Sequence, residues 1–245
     1  MRLYLAFLIS IMALTSAPSG AAQTPVEIVG AEFDFGMVPQ NATLTHRIWI
    51  RSISEDTITL SNIKTGCGCL TAPLPQHRLG PGDSLLVTFY WQTRGSEGPQ
   101  GSSAYLYTEP AERPLELTLS GNVVTQLDTA ASIAWAPVRF AVAGNTRSSG
   151  SGKVFVLDLT NKSSIDLAVT IVECGPELEP EMPDSIGAGE ILTGRVTVAE
   201  AYLNEEFESS FTLELSGNQE TRYRVSIPVV CGDFSFRPMF TTTRE

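Results

Sequence analysis

Basic residues and histidines are scarce in this sequence. The 245 residues include 16 Lys and Arg against 27 Asp and Glu, which gives a formal net charge of −11. Such an acidic field repels phosphate backbones, so we expect no nucleic acid partner. The two histidines, His46 and His77, fall on different predicted elements, and no G-x-S-x-G elbow occurs, which argues against a Ser–His–Asp enzyme. The paired carboxylates of a glycosidase are not recognisable without distances. We predict a protein that is not an enzyme and has no cofactor.

Long apolar runs are missing except at the N terminus. Arg2 precedes an almost wholly apolar stretch at residues 3–14, and small residues follow that end S-G-A-A at position 22. These are the three parts of a secretory signal peptide, so we expect removal of residues 1–22 and export to the periplasm or the extracellular space. The rival is an uncleaved anchor, which the short run disfavours. No later run approaches about 18 apolar residues, so we predict no membrane insertion after cleavage.

Cysteine is sparse as well, but its even number suits an exported protein. Cys67 and Cys69 form a C-x-C pair, whereas Cys174 and Cys231 stand apart. Disulfides persist outside the cytosol, and four cysteines allow three complete pairings that the sequence does not decide. We favour a bridge or packed thiols at Cys67 and Cys69, and a second bridge from Cys174 to Cys231. A crossed pairing between the two halves of the chain stays open.

The C-x-C pair also permits chemistry. Two thiolates one residue apart can act as a redox couple or hold a soft metal such as Cu(I). His77 lies in the adjoining turn and is the available third ligand. A metal site formed by Cys67, Cys69 and His77 is therefore the alternative to a structural bridge.

Helical periodicity is absent, and short strands take its place. From residue 26 to residue 124, strand-like segments alternate with turn signals. The clearest turn is L-G-P-G-D at 79–83, where proline fixes φ and glycine permits a positive φ, and a strand follows at 85–91. We expect Trp49, Trp91 and Trp135 to lie on strands and to pack in cores. The pattern predicts an antiparallel β-sandwich of about 100 residues.

The same plan recurs further along the chain. E-C-G at 173–175 corresponds to T-G-C-G at 65–68, and I-G-A-G-E at 186–190 corresponds to the L-G-P-G-D turn. This order predicts a duplicated domain. We therefore predict an all-β protein with two tandem immunoglobulin-like antiparallel β-sandwiches, at residues 26–124 and 133–232. A linker at 125–132 and a tail at 233–245, whose phenylalanines pack back on the second domain, complete the chain.

Four blocks of the first unit carry a resemblance to a known family. They read F-D-F-G-M-V-P-Q-N-A-T-L-T-H from position 33, I-K-T-G-C-G-C-L-T-A from 63, L-G-P-G-D-S-L-L-V-T-F from 79 and S-G-N-V from 120. In this order they resemble the bacterial DUF1573 domain, an immunoglobulin-like module related to the ASH and major sperm protein group. The resemblance implies this fold and export. The second unit lacks the second cysteine and the turn proline, so it resembles a diverged repeat.

These features predict an exported, non-catalytic binding or assembly module of the cell envelope whose partner is a protein. Sheet edges and end loops are the expected contact surfaces, and the G-C-G-C loop with His77 is the first candidate patch. The alternatives are a thiol-redox or copper-handling protein that uses Cys67 and Cys69, and a carbohydrate-binding module that stacks sugars on tryptophan. D-F-G at 34–36 matches a kinase metal-binding triplet in letters only, because its companion motifs are missing.

Overall fold

The computed structural model describes residues 24–109, 113–124, 138–146, 154–217 and 222–231. The predicted signal peptide, linker and tail, together with Trp135, lie outside these residues. Within them the protein has seventeen strands and one short 3-10 helix, Glu200–Tyr202, and no α-helix, so the all-β prediction is confirmed. None of the helical segments in these ranges has the length and apolar character needed to cross a membrane.

The strands fall into two groups along the chain. The N-terminal half contains β1 Val26–Val29, β2 Glu32–Pro39, β3 Thr43–Ser52, β4 Ile58–Thr65, β5 Leu70–Thr71, β6 Arg78–Leu79, β7 Ser84–Gln92, β8 Gly98–Glu109 and β9 Leu115–Val124. The C-terminal half contains β10 Val138–Thr146, β11 Val154–Asn161, β12 Leu167–Cys174, β13 Leu178–Glu181, β14 Ser185–Ile186, β15 Ile191–Val198, β16 Phe207–Ser216 and β17 Arg222–Cys231.

In the N-terminal half, two layers of strands enclose one core. One layer is a sheet of order β1-β3-β7-β5, and the other contributes β2-β9-β8-β4-β6 to a larger sheet. These orders are the ABED and CFG sheets of an immunoglobulin-like sandwich, with β2 added parallel to β9. Alternation places one side of each strand in the core, where the largest fully buried side chains include Phe35, Phe89, Leu44, Ile48 and Ile50.

The tryptophans do not behave alike. Trp91 on β7 is buried and packs against Phe35, with ring centroids 5.6 Å apart. Trp49 on β3 is 49% exposed, so the prediction that it packs in a core is wrong. The reason is the period of two, because Ile48 and Ile50 take the inward positions and turn Trp49 to the outer face.

The C-terminal half has a second core. One sheet has the order β10-β11-β15-β13, and β14-β12-β16-β17 belong to the larger sheet. The buried side chains of the two layers form a single cluster, which includes Phe211, Leu159, Leu213, Val225 and Ile227. Both strand orders repeat those of the N-terminal half, with a two-residue strand again at the outer edge of the larger sheet.

One sheet runs through both halves. Its nine strands lie in the order β14-β12-β16-β17-β2-β9-β8-β4-β6. The junction is a short parallel pairing of β17 with β2, where Val225 lies opposite Met37. Met37 packs in the C-terminal core although β2 belongs to the N-terminal half. We call the contact of β2 and β3 with β12, β16 and β17 the seam.

Gly36 makes the junction possible. It has φ 68°, and a Cβ at this position would lie 2.1 Å from the carbonyl oxygen of Arg224 on β17. The pairing of β2 with β9 is irregular between Asp34 and Met37, and the Asp34 carboxylate accepts the Gly36 N–H at 2.9 Å. D-F-G at 34–36 is therefore an irregularity in β2. Its last position requires glycine, because the backbones of β2 and β17 are in contact there.

Candidate functional site

The loop from β4 to β5 carries the C-x-C pair. Cys67 and Cys69 are joined by a disulfide, with their Cα atoms 5.2 Å apart. Backbone hydrogen bonds fix both ends of the loop, because Gly66 donates its N–H to the Ser103 carbonyl at 2.7 Å and Gln92 donates to the Cys69 carbonyl at 2.7 Å. The loop is therefore held by β7 and β8 independently of the sulfur bond.

The outer side of this loop is open. Gly68 between the two cysteines is exposed, and no atom lies within 4 Å of the position that its Cβ would take. The two cysteines are half-buried and rest on the rim of the N-terminal core. The hydroxyl of Ser102 on β8 lies 3.3 Å from the Cys67 sulfur. A disulfide sulfur carries no proton, so the hydroxyl is the donor in this contact.

His77 does not join the cysteine pair. Its Nδ1 lies 3.0 Å from the Leu60 carbonyl oxygen, and its own carbonyl accepts the Leu60 N–H at 2.9 Å. Leu60 lies five residues before Thr65, the last residue of β4. His77 is therefore about 16 Å along the strand from the start of the cysteine loop. The predicted patch of Cys67, Cys69 and His77 is therefore wrong. The described part of the chain contains no group of three or more His, Cys, Asp or Glu suited to a metal ion.

The predicted bridge from Cys174 to Cys231 is also wrong. Both cysteines end strands, but β16 lies between those strands, with Phe211 opposite Cys174 and Phe207 opposite Cys231. Two strand spacings and an offset of four residues place the Cα atoms roughly 16 Å apart. A disulfide needs about 4.4–6.8 Å.

Cys174 is an unreactive thiol. It is not part of a disulfide, and its sulfur donates to the carbonyl oxygens of Gly175 at 3.3 Å and Leu178 at 3.2 Å. Burial raises the pKa of this thiol to about 11, and the nearby carboxylates of Glu173, Glu177 and Glu179 raise it further, against the lowering effect of Arg47. A thiol with so high a pKa is neither a good nucleophile nor a metal ligand at neutral pH.

The seam contains a buried ion pair. His46 on β3 and Glu173 on β12 approach within 2.5 Å between Nδ1 and Oε2, and both side chains are less than one-tenth exposed. His46 Nε2 donates to the Gly30 carbonyl at 2.8 Å, because a carbonyl only accepts. The ionised Glu173 carboxylate accepts the hydrogen bond from Nδ1. Phe33 stacks on the ring with a centroid distance of 4.4 Å.

Glu173 remains ionised despite its position. Burial alone raises the pKa of this carboxyl, but the hydrogen bond and the charge of His46, with backbone N–H groups of Arg47 and Cys174, outweigh burial and lower the pKa below its ordinary value. The Arg47 guanidinium adds a second cation at 3.5 Å. The C-terminal half therefore supplies an anion that the N-terminal half neutralises.

Hydroxyl groups continue the seam along β3 and β16. Thr45 donates its N–H to the Ser210 hydroxyl at 2.8 Å, and Ser210 returns its N–H to the Thr45 hydroxyl at 3.1 Å. The buried Glu177 carboxylate accepts the Ser209 hydroxyl at 2.7 Å. Burial and the neighbouring Glu177 raise the pKa of Tyr90 on β7, so this phenol stays neutral at physiological pH. The seam is thus a satisfied polar network between the two cores.

The outer face of the β1-β3-β7 sheet is apolar at its centre. Val29 on β1 lies directly opposite Trp49 on β3, and Leu86 on β7 lies opposite Trp49 on the other side. Val29 is 57% exposed. We call Val29, Trp49 and Leu86 the Trp49 face. Its neighbouring row pairs Glu27 with Arg51.

The seam and the Trp49 face were both missed by reasoning from sequence. The signal for His46 was present, because it shares the inward phase of β3 with Leu44, Ile48 and Ile50, and a buried histidine needs a partner. Nothing in the sequence identifies Glu173 as that partner, because Glu173 is distant in the chain. It lies 126 positions from Arg47, the neighbour of His46, which Glu173 also contacts. The alternation along β3 that turns His46 inward also turns Trp49 outward, so the exposure of Trp49 was predictable.

Comparison with known proteins supports the resemblance for one segment. Residues 26–123 match the model of a family described as a protein of unknown function, DUF1573. The match covers the N-terminal half and stops before β10. A search of curated proteins finds no match.

Several solved structures are similar at low identity. A protein of unknown function from Porphyromonas gingivalis W83 is 11% identical, with 85% of this chain and 100% of that chain covered and a TM-score of 0.33. The ASH/PapD-like domain 7 of human CEP192 is 13% identical, covering 51% and 98%, with a TM-score of 0.36. The E. coli chaperone DraB is 8% identical, covering 83% and 98%, with a TM-score of 0.31. Similarity of this degree carries no information on what the chain binds.

Proposed function

We propose that the protein is an exported, non-catalytic binding module of the cell envelope that holds a partner protein on the Trp49 face. The observation that carries this proposal is the exposure of Trp49 directly opposite the exposed Val29 on a regular sheet. Single exposed apolar residues are normal, but adjacent ones on neighbouring strands mark an interaction surface. Tryptophan and arginine are the residues most enriched among binding hot spots, and Arg51 stands in the next row.

The partner surface is defined by this chemistry. The centre is apolar, and the adjoining row offers an arginine opposite a glutamate, so the complementary surface has an apolar centre and one charge of each sign at its rim. A sheet face of this kind suits a folded protein rather than an extended peptide, because its strands are already paired on both sides of β3.

We further propose that residues 26–124 and 133–232 are two tandem immunoglobulin-like domains and that the second is a diverged copy of the first. The repeated strand orders support this proposal, as does the presence of one apolar core in each half. The seam would then hold the two domains as one body that presents the Trp49 face at a fixed angle.

Export to the periplasm or extracellular space through removal of residues 1–22 is part of the same proposal. The composition of residues 1–22 supports it. The test is the intact mass and N-terminal sequence of the protein recovered from the envelope fraction of the producing cell. A chain that begins near residue 23 is expected, and a cytoplasmic chain that retains residue 1 would contradict export.

Site-specific photocrosslinking tests the binding role. A photoreactive phenylalanine at position 49 is compared with one at position 191, because Ile191 on β15 is 67% exposed but lies in the other half. We expect a discrete protein adduct from position 49 and none from position 191. The captured protein, purified, should bind the full chain, and Trp49→Ser should weaken its Kd about 30-fold, as loss of a hot-spot tryptophan of about 2 kcal/mol requires. Equal binding by Trp49→Ser would overturn the proposal.

A carbohydrate-binding role is the second candidate, and the same exposed Trp49 favours it. Sugar rings stack on exposed tryptophan, and tryptophan fluorescence reports that contact, with the Trp49→Ser variant as the control that assigns the change to Trp49. Titration with envelope polysaccharide fragments should leave the fluorescence of the full chain unaltered if the partner is a protein. A saturable change that disappears in Trp49→Ser would establish the carbohydrate role in its place.

A further inference from the structure

We propose that the Cys67–Cys69 disulfide is a thiol–disulfide exchange site that accepts electrons from a dithiol of a partner protein. In this exchange the partner attacks Cys69, and Cys67 is the leaving thiolate, stabilised by Ser102. This activity goes beyond the binding role and does not depend on the Trp49 face.

The bridge contributes little to the folded state. It closes a ring of three residues, with a sequence separation of two, so it excludes few conformations of the unfolded chain compared with a bridge between distant strands. Backbone hydrogen bonds hold the ends of the loop without the bridge. Gly66 donates its N–H to Ser103 on β8, and Gln92 on β7 donates its N–H to the Cys69 carbonyl. Leu70 also donates its N–H to the Cys67 carbonyl at 3.4 Å. The two sulfurs therefore stay adjacent when the bond between them opens.

The bridge is accessible to another protein. Gly68 is exposed, and the space above it is empty to 4 Å. The glycine between the cysteines adds no side chain to the outer side of the loop, from which a thiolate would approach the bridge. The half-buried Cys174 shows the opposite arrangement, in which two carbonyls and a raised pKa keep the sulfur inert.

Ser102 makes the two sulfurs unequal. Its hydroxyl donates toward Cys67 at 3.3 Å, and Ser102 itself is buried on β8. A donor placed at one sulfur favours the departure of that sulfur as a thiolate, because a hydrogen bond to an anion is stronger than one to a neutral group. The attacked atom is then the Sγ of Cys69.

The exchange proceeds in two balanced steps. A thiolate of the partner bonds to Sγ of Cys69, the Cys67–Cys69 bond breaks, and its electron pair leaves on Cys67. The partner's second thiolate then attacks the partner sulfur that is bonded to Cys69. A disulfide forms within the partner, and Cys69 leaves as a thiolate. The two protons lost by the partner's thiols protonate Cys67 and Cys69, so the partner becomes a disulfide and this chain a dithiol.

Glutathione is the probe for the first step. The oxidised full chain is mixed with reduced glutathione, quenched with acid at intervals and analysed by intact mass and peptide fragmentation. An oxidised Cys-Gly-Cys peptide serves as the unfolded reference. We expect the chain to open at least as fast as the peptide, with the glutathione adduct on Cys69 at least about five-fold over Cys67. A bridge that stays closed while the peptide opens would overturn the proposal.

Ser102→Ala and Ser103→Ala separate the role of the hydroxyl from general effects on β8. Ser102→Ala should slow opening about five-fold, the worth of one ordinary hydrogen bond, and should make the two adducts more equal. Ser103 contacts the loop through its backbone carbonyl, so Ser103→Ala should react like the wild type. An unchanged rate and adduct ratio in Ser102→Ala would refute the assignment of Cys67 as the leaving group.

Reduced dithiothreitol is the dithiol probe for the complete exchange. One equivalent of oxidised dithiothreitol should form per chain, and the reduced protein should keep its far-ultraviolet circular dichroism and tryptophan fluorescence. Unfolding on reduction would show instead that the bridge is structural, which would overturn the proposal.

Discussion

The ends of β4 and β12 occupy the same place in the two halves but differ in chemistry. After β4, the chain forms an open loop whose two cysteines are bridged and reachable from solvent. After β12, Cys174 and Gly175 lie against the seam, where a Cβ on Gly175 would be 1.9 Å from the Ser209 hydroxyl. The difference teaches that position in the fold does not decide reactivity. Burial does, because the Cys174 sulfur lies against the carbonyls of Gly175 and Leu178, which keep solvent and other thiols away from it.

The largest expected effect comes from the buried pair that Glu173, the neighbour of Cys174, forms with His46. His46→Ala leaves the Glu173 carboxylate buried with Arg47 as its remaining cation, and loss of one partner of a buried pair costs about 3 kcal/mol in free energy of unfolding. Urea denaturation of the full chain measures it. Replacing both partners, as in His46→Leu with Glu173→Leu, should recover most of the loss. A single variant that loses less than about 1 kcal/mol would contradict a pair that matters to the seam.

Thiol reactivity distinguishes the two ends directly. A pKa of about 11 leaves roughly one Cys174 in a thousand ionised at pH 8, so its alkylation by iodoacetamide should be about 100-fold slower than that of a free cysteine peptide. Peptide mapping after timed alkylation of the reduced chain measures this. Cys67 and Cys69 should be labelled well before Cys174, and labelling of Cys174 at the peptide rate would contradict the burial of its sulfur.

The glycines of the two loops form a matched pair. Gly175→Ala forces a Cβ into the Ser209 hydroxyl and within 2.9 Å of the Glu177 carboxylate, so we expect a loss of about 2 kcal/mol from overpacking. Gly68→Ala meets no atom and should change the free energy of unfolding by less than about 0.5 kcal/mol. The difference in urea midpoint between the two variants is the measurement. Equal midpoints would show that the structure around Gly175 shifts to accommodate the added Cβ without loss of stability.

The smallest expected effect is the dependence of seam stability on pH. The pKa of Glu173 is lower in the folded protein than its ordinary value of 4.5, so its contribution is fully present above that value and is lost as the pH falls through the folded pKa. The groups that face this carboxyl are His46 and Arg47 from β3 and the Cys174 backbone N–H. Unfolding measured between pH 6 and pH 3 should show a steeper fall for the wild type than for Glu173→Gln. Parallel profiles would exclude Glu173 as the source.

The strands were predictable because each signal is local. The period of two around Ile48 and the glycine-proline turn at 79–83 depend on neighbours within a few residues, and the structure has β3 and β7 there. The adjacency of Cys67 and Cys69 is local in the same sense.

The predictions that failed needed the order of strands across a sheet. Cys174 and Cys231 both end strands, but only the topology shows that β16 lies between them. His77 is close to the cysteines in sequence, yet β6 returns it to the far end of β4, where Ile58 pairs with Leu79. The partner of His46 was unpredictable for the same reason, since Glu173 reaches it through the shared nine-stranded sheet.

The junction at Gly36 has a consequence for how the chain is made. Strand β2 is among the first to leave the ribosome or a translocation channel, but one of its neighbours, β17, is the last strand of the sheet to emerge, and the contact from Ser226 to the Phe35 carbonyl spans 191 positions. Until β17 arrives, β2 exposes an unpaired edge that other chains can join. Truncation before β17 should therefore yield a protein that aggregates during synthesis, although every strand of the first sandwich is present.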